Sequence, residues 1–240
     1  GTRNWATYFG QNQQDISSAV ALDASGNIYI AGSSGGGLLG TSGAHNQISN
    51  GDFDGLIAKF SNSGTRLWST YYGGSDYDAV SALAIDVSGN VLLGGSTGST
   101  SGISTTNVHQ TTKSTGSDGF FALMKSTDGT RIWGSYYGGN AISEGISGIA
   151  TTNGIVVVAG HTASSSTGIA TTSPTAGHQT SSGTGRDGFV SRLSYCYEPN
   201  QPGTISGINS VCQTSSQTYS ISSVSGATSY TWSLPSGWIG

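Results

Sequence analysis

The chain has 240 residues, of which 39 are Gly, 42 Ser and 28 Thr, whereas charged residues make up 8% and the formal net charge is -4. A nucleic-acid-binding protein needs a dense positive surface, and eight scattered basic residues do not supply one, so this class is excluded. No apolar run approaches the roughly 20 residues that a membrane-spanning helix needs.

An aromatic segment recurs along the chain and indicates a repeat. The segment that begins at Trp5 returns at Trp68 and at Trp133, with offsets of 63 and 65 residues. The Asp-x-Ser-Gly-Asn segment at 23–27 returns at 86–90. Three Asp-Gly pairs, each followed by an apolar run, keep a similar spacing: Asp54-Gly55, Asp118-Gly119 and Asp187-Gly188. This self-similarity predicts a repeat architecture with units of about 64 residues.

Each unit contains short apolar segments that predict strands rather than helices. The first unit has four of them, at 19–23, 27–32, 55–60 and 66–72. Gly26 and Gly64 lie in the turns that join them in pairs, where Gly can adopt the positive φ of a tight hairpin. Four antiparallel strands per unit, repeated radially, are typical of a β-propeller blade. We therefore predict an all-β chain with three four-stranded blades, in which Trp5, Trp68 and Trp133 occupy equivalent positions.

These motifs also carry a family resemblance. Trp68-Ser69-Thr70-Tyr71-Tyr72-Gly73-Gly74, the Asp-x-Ser-Gly-Asn turn and the Asp-Gly-Phe strand resemble the seven-bladed β-propeller (SBBP) repeats of large secreted bacterial proteins. The resemblance covers residues 1–194. The third unit departs from it, because Thr151-Thr152 stands where an Asp is expected and no fourth strand follows Leu193.

The number of units predicts an incomplete ring. Three blades are fewer than the roughly four to eight that close a propeller. We therefore expect a segment of a larger propeller, with the other blades upstream or supplied by another copy. The strand predicted at Trp5 has no sheet ahead of it, and it could complete the third unit.

The repeat stops after Leu193, where a second region begins. Residues 195–203 form a Pro-containing linker, and residues 204–240 resemble the start of a PKD-type immunoglobulin-like module. The resemblance is carried by segments such as Val211-Cys212 and Tyr230-Thr231-Trp232. Because an immunoglobulin sandwich needs about 100 residues, we predict only the N-terminal part of this β-sandwich.

The chain has two cysteines, Cys196 and Cys212. No third Cys or His cluster accompanies them, so metal binding is disfavoured. We expect a structural disulfide because the other features indicate an oxidising exterior. Two buried thiols are the alternative.

Acidic residues and histidines recur in the loops and are the candidates for a metal site. The acids follow each aromatic segment: Asp15, Asp78 and Glu144. The histidines lie between the second and third strands of each unit: His45, His109 and His178. Both sets would emerge at one face of a blade, where they could bind a metal or, with aromatic neighbours, a sugar. A repeated polar residue more often binds the backbone of its own blade, so we expect no cofactor and no metal, with calcium at the three acids as a weak alternative.

The acids of the Asp-Gly pairs are predicted to be structural. The carboxylates of Asp54, Asp118 and Asp187 can accept hydrogen bonds from turn amides. No catalytic residue is predicted, because the chain has only two Glu, no nucleophile elbow and no Lys after Gly35-Gly36-Gly37.

Two function classes remain. The first is a non-catalytic structural or adhesive module of a large secreted cell-surface or filament-forming protein, whose partners are other domains or copies of that protein, or surface glycans or other cells. The second is a carbohydrate-binding propeller attached to a larger extracellular enzyme. The resemblance further implies an extracellular or cell-surface location and export by type IX secretion.

Overall fold

The structure is a computed structural model that describes residues 1–152, 154–163, 168–170, 178–194, 220 and 229–231. The chain forms two compact units, residues 1–194 and residues 195–240. The predicted linker, nearly all of the PKD-like region and the expected Cys196–Cys212 disulfide lie outside the described residues.

The described part of the first unit contains strands and no helix. The strands are β1 (Asp15–Leu22), β2 (Ile28–Ser34), β3 (Asp54–Phe60), β4 (Arg66–Tyr72), β5 (Asp78–Ile85), β6 (Val91–Thr97), β7 (Asp118–Met124), β8 (Arg131–Tyr137), β9 (Glu144–Thr152), β10 (Ile155–Thr162) and β11 (Asp187–Ser194). They form three antiparallel sheets in the orders β1-β2-β3-β4, β5-β6-β7-β8 and β11-β10-β9. The all-β class and the blade-like sheets are confirmed.

Two details of the prediction are wrong. The third sheet has three strands among the described residues, not four. Residues 1–14 form no strand, so the segment at Trp5 does not complete the third sheet. The segment lies at the first sheet instead, which already has its fourth strand in β4, and the Trp5 indole Nε1 donates a 2.8 Å hydrogen bond to Asn62 O in the turn between β3 and β4.

The turns between first and second strands follow from their sequence. The Asp23 carboxylate accepts hydrogen bonds from the backbone N–H groups of Ser25 and Asn27, at 3.0 and 2.9 Å. Gly26 has a φ of 77°, a conformation that costs a Cβ-bearing residue energy. Asp86 binds the equivalent amides in the second sheet. A short side-chain acceptor followed by Gly therefore builds the same hairpin twice.

Successive sheets pack through the first strand of each unit. Strand β5 contacts β1, β2 and β3 of the first sheet, and β9 contacts β5, β6 and β7 of the second. A Cβ at Gly55 would lie 2.9 Å from Val80 Cγ2, and one at Gly94 would lie 2.7 Å from Ile146 Cγ2. Glycine on one sheet thus makes room for a branched apolar side chain from the next. The largest cluster of buried residues, which includes Tyr29, Tyr72 and Phe120, lies between the first and second sheets, and Leu39, Leu56 and Tyr71 form a second, smaller cluster.

Candidate functional site

The acidic positions predicted from the sequence lie at one end of the sheets. In the first sheet Asp15 pairs with Ser34, and Ser34 pairs with Asp54. Strands β1 and β3 therefore begin at the same end of the sheet, on either side of β2. The other two sheets have the same register. We call this the loop end, and the opposite end, with the short hairpin turns, the turn end. The predicted acids at the loop end are Asp15, Asp54, Asp78, Asp118, Glu144 and Asp187.

Each of these six carboxylates accepts a hydrogen bond from a backbone N–H group four or five residues before it. The donors and distances are Gln11 to Asp15 2.7 Å, Asn50 to Asp54 2.5 Å, Gly74 to Asp78 2.8 Å, Ser114 to Asp118 2.9 Å, Gly139 to Glu144 2.8 Å and Gly183 to Asp187 2.6 Å. The carboxylate therefore closes the loop that leads into its strand, which is the geometry of a structural role.

The two acid series, which the sequence presents separately, meet where one sheet passes to the next. A Cβ at Gly73 would lie within 2.6 Å of carboxylate oxygens from both Asp54 and Asp78, so these oxygens are no further apart than twice that distance. Asp118 and Glu144 surround Gly138 in the same way, within 2.8 Å. We call the first pair the first junction and the second pair the second junction. All four residues are at most 1% exposed.

The junctions differ in how their carboxylates are satisfied. At the second junction Asp118 Oδ1 accepts a hydrogen bond from Ser114 Oγ at 2.5 Å, and Glu144 Oε1 accepts one from Thr162 Oγ1 at 3.0 Å. At the first junction Oδ1 of Asp54 and Oδ1 of Asp78 accept no hydrogen bond from the described part of the chain. An unpaired buried carboxylate oxygen is costly. The first junction is therefore the less stable of the two arrangements.

Asp78 is the titratable group that this arrangement perturbs most clearly. Burial raises the pKa of its carboxyl to about 6, and the negative charge of Asp54 adds to the rise. The nearby Thr97 side chain favours the ionised form and limits the rise in pKa, as do hydrogen bonds from Gly74 N and Ser99 Oγ, each 2.8 Å long.

The histidines pack against tyrosines instead of gathering around a metal. The ring centroids of His45 and Tyr72 are 5.6 Å apart, and those of His109 and Tyr137 are 5.4 Å apart. Burial lowers the pKa of His45 to about 4, with a contribution from the positive charge of Arg131. His178 is exposed. Within the described ranges, no three His, Cys, Asp or Glu side chains come together to hold a metal ion.

A partly exposed aromatic pair at the first junction was not predicted. The rings of Phe53 and Tyr77 lie 5.7 Å apart at 38°, and Tyr77 is 50% exposed. The equivalent residues of the second junction are Ser117 and Ser143. An alignment of the units would have revealed the pair, because it shows positions at which one unit has an aromatic residue and the next has a small one.

The tryptophans that recur from unit to unit lie at the turn end. Trp68 donates from Nε1 to Ser126 O at 2.9 Å, and a Cβ at Gly129 would lie 2.7 Å from its ring. Trp5 makes the equivalent contacts one sheet earlier, with Asn62 O and Gly64. An aromatic residue that precedes a unit thus binds the β3–β4 type turn of that unit. Trp133 lies in β8, where its ring is 5.5 Å from that of Phe121.

Charge is unequally divided between the two ends. Eight of the chain's 12 acidic residues belong to the loop end, and these are Asp15, Asp52, Asp54, Asp76, Asp78, Asp118, Glu144 and Asp187. The basic residues near them are Lys113 and Arg186. The turn end holds Lys59, Arg66, Lys125, Arg131 and Arg192. The loop end therefore has an excess of acidic over basic residues, and Asp52 and Asp76 are the acids that it exposes.

Comparison with known families agrees with this architecture. Residues 4–40 match the beta-propeller repeat (SBBP) family, and residues 198–240 match the PKD-like domain family, in the predicted order. Residues 4–40 are thus similar to one β-propeller repeat, and residues 198–240 are similar to a PKD-like domain. Both families are typically non-catalytic, extracellular-type modules. No curated protein matches the chain. No helix long and apolar enough to span a membrane occurs in the described residues.

Proposed function

We propose that this chain is a non-catalytic structural or adhesive module of a large secreted cell-surface protein. Its work in that protein is to pack against other domains or copies of the same protein. The proposal is supported by the similarity to the repeat and PKD-like families, and chiefly by an apolar strand face that no sheet of the described residues covers.

That face belongs to β1. Leu83 and Ile85 of β5 pack against the core of the neighbouring sheet. The equivalent residues of β1 are Val20 and Leu22, which are 68% and 63% exposed. An apolar face on a sheet edge favours association. Elsewhere in this chain, the first strand of a unit packs against the preceding sheet. We therefore expect β1 to pack against a further propeller sheet, from the same protein or from a second copy.

The Trp contacts support the same conclusion. Because Trp5 binds the first sheet as Trp68 binds the second, residues 5–9 behave as the outer segment of a preceding unit. Arg66 lies over the Phe9 ring at 5.9 Å, as Arg131 lies over Tyr72 at 5.9 Å. The first sheet is therefore equipped on one side for a neighbour of its own kind.

Sedimentation velocity on the whole chain tests the association. We expect self-association at high micromolar concentration, and we expect the Val20→Ser/Leu22→Ser double variant to be monomeric. Val87→Ser is the matched control, because Val87 is 64% exposed but lies in the β5–β6 turn. A monomeric wild-type chain, or association that the double variant retains, would count against the proposal.

An extracellular location and a disulfide between Cys196 and Cys212 belong to the same proposal. Mass spectrometry of the secreted protein after alkylation without reduction tests both. We expect the native protein outside the cells with neither thiol alkylated. Two alkylated thiols, or a protein that stays in the cytoplasm, would contradict this part of the proposal.

A further inference from the structure

We propose that the loops at the first junction form a binding site for a cationic side chain, Lys or Arg, of a partner protein. The site consists of residues 51–53 and 74–77, and we call it the aromatic–acid site. It is independent of the β1 face described above, because it lies at the loop end between the first and second sheets.

The site is rigidly built. The N–H group of Asp78 donates to Phe53 O at 2.8 Å, which ties the two loops together directly behind the aromatic rings. A Cβ at Gly51 would lie 2.7 Å from Asp76 O, so the loops are in close backbone contact. The Phe53 ring is held from its other side, since a Cβ at Gly35 would lie 3.3 Å from Phe53 Cζ. The Tyr77 ring remains half exposed beside it.

The fold does not require this aromatic pair. At the second junction the N–H group of Glu144 donates to Ser117 O at 2.8 Å, which is the same backbone contact. Ser117 and Ser143 occupy the positions of Phe53 and Tyr77 there. This backbone hydrogen bond is therefore made with two small polar residues as well, so it does not require the rings of the first junction.

The charge around the rings selects the ligand. Asp52 and Asp76 are exposed and directly precede the two aromatic residues. The residues that follow the two rings in the chain, Asp54 and Asp78, are buried, each with one carboxylate oxygen that accepts no hydrogen bond among the described residues. The loops 35–53 and 73–77 contain no Lys or Arg. A surface of this kind attracts cations and repels anions, and the negative face of an aromatic ring adds a cation–π contribution.

A neutral sugar could stack on the same rings, but it would gain little from the carboxylates. Arginine suits both parts of the site, because its guanidinium group stacks on aromatic rings and binds carboxylates through two N–H groups. The combination of rings and negative charge therefore favours the cationic ligand.

The test is a titration of the whole chain, followed by NMR, with a short Gly/Ser peptide that carries four arginines. We expect binding that weakens as salt is raised, with shifts centred on residues 51–53 and 74–77. The Phe53→Ser/Tyr77→Ser double variant, which copies the second junction and keeps the fold, should bind about tenfold more weakly. Asp52→Asn/Asp76→Asn should weaken binding and reduce its dependence on salt.

Two control variants remove an aromatic and an acidic side chain at places outside the aromatic–acid site. Tyr8→Ser removes a fully exposed aromatic residue, and Asp128→Asn removes an exposed acid at the turn end; neither should change the affinity. Equal affinity of the wild-type chain and the double serine variant would overturn the proposal. So would tighter binding of neutral maltohexaose or chitohexaose at the same loops, independent of salt, which would identify a carbohydrate site instead.

Discussion

The first and second junctions share one backbone frame and differ in the side chains that complete it. In both, a loop-closing carboxylate from a third strand meets one from the first strand of the next sheet, around a glycine. Side-chain donors satisfy Asp118 and Glu144, whereas Asp54 and Asp78 each keep an unpaired oxygen among the described residues. The repeat therefore determines where the carboxylates lie, and the neighbouring side chains determine how much free energy their burial costs.

The same contrast applies to the surface above the carboxylates. Phe53 and Tyr77 form an exposed aromatic pair at the first junction, and serines stand in their place at the second. The junction with the less satisfied carboxylates is thus also the one with an exposed binding surface. Functional sites are often less stable than the structure around them.

The largest effect should come from Trp68, which joins the first and second sheets at the turn end. Trp68 is 2% exposed and spans two sheets, so Trp68→Ala should lower the free energy of unfolding by about 3–5 kcal/mol. Trp5 is 38% exposed and makes the same contacts, so Trp5→Ala should cost only about 1–2 kcal/mol. Urea unfolding measures both free energies. Equal losses in the two variants would show that burial does not determine how much each tryptophan contributes.

The next effect is a pH dependence that comes from Asp78. Its pKa is about 6 in the fold against an ordinary value of 3.8, so folding favours the protonated form. The stabilisation is full below about pH 4, declines as pH rises to about 6 and is absent above, a change of up to about 3 kcal/mol.

Thermal unfolding of wild type and Asp78→Asn across this range isolates that contribution. The variant should lack the decline between pH 4 and pH 6. Ser99→Ala removes a donor to the Asp78 carboxylate and should move the decline to higher pH. Identical pH profiles for wild type and Asp78→Asn would contradict the interpretation.

A smaller, reciprocal pair of substitutions exchanges the character of the two junctions. Ser114 and Asn50 are equivalent, and only the serine gives its acid a side-chain hydrogen bond, from Oγ to Asp118 Oδ1. Asn50→Ser should supply Asp54 Oδ1 with a donor and raise the free energy of unfolding by about 1 kcal/mol. Ser114→Ala should lower it by about 1–3 kcal/mol. If both substitutions lower the free energy of unfolding, the lack of a side-chain donor to Asp54 does not explain the difference between the junctions.

The smallest effect is expected from metal removal. A bound structural ion stabilises the folded state by mass action. Because the acids form pairs dispersed along the repeat, we expect EDTA to leave the thermal midpoint nearly unchanged at both junctions. A fall of more than about 10 °C would indicate an ion at the unpaired oxygens, since about 1 kcal/mol shifts the midpoint by a few degrees.

The sequence predicted the class, the strand segments and the turns because these depend on local chemistry repeated at one spacing. The hairpin at Asp23 and Gly26 follows from four consecutive residues. The first strands begin at Asp15 and Asp78, earlier than the apolar segments suggested, because loop-closing carboxylates extend the pairing.

The pairing of Asp54 with Asp78 could not be predicted in the same way. The two residues belong to different sheets, and their approach depends on how those sheets pack around Gly73. The position of Trp5 had the same cause: its motif predicted a strand, but without a sheet partner only its contact with the next turn remains.

The tryptophan contacts run in one direction, from each unit to the turn of the one that follows, and this has a consequence for how the propeller unit opens. A unit coupled only to its neighbours loses protection from its ends inward. Strand β7 lies in the second sheet, which is packed on both sides, and every residue of β7 is buried. The residues of β11 alternate between half-buried and exposed. Amide hydrogens of the second sheet should therefore exchange last, because this middle blade should be the last part of the repeat array to open.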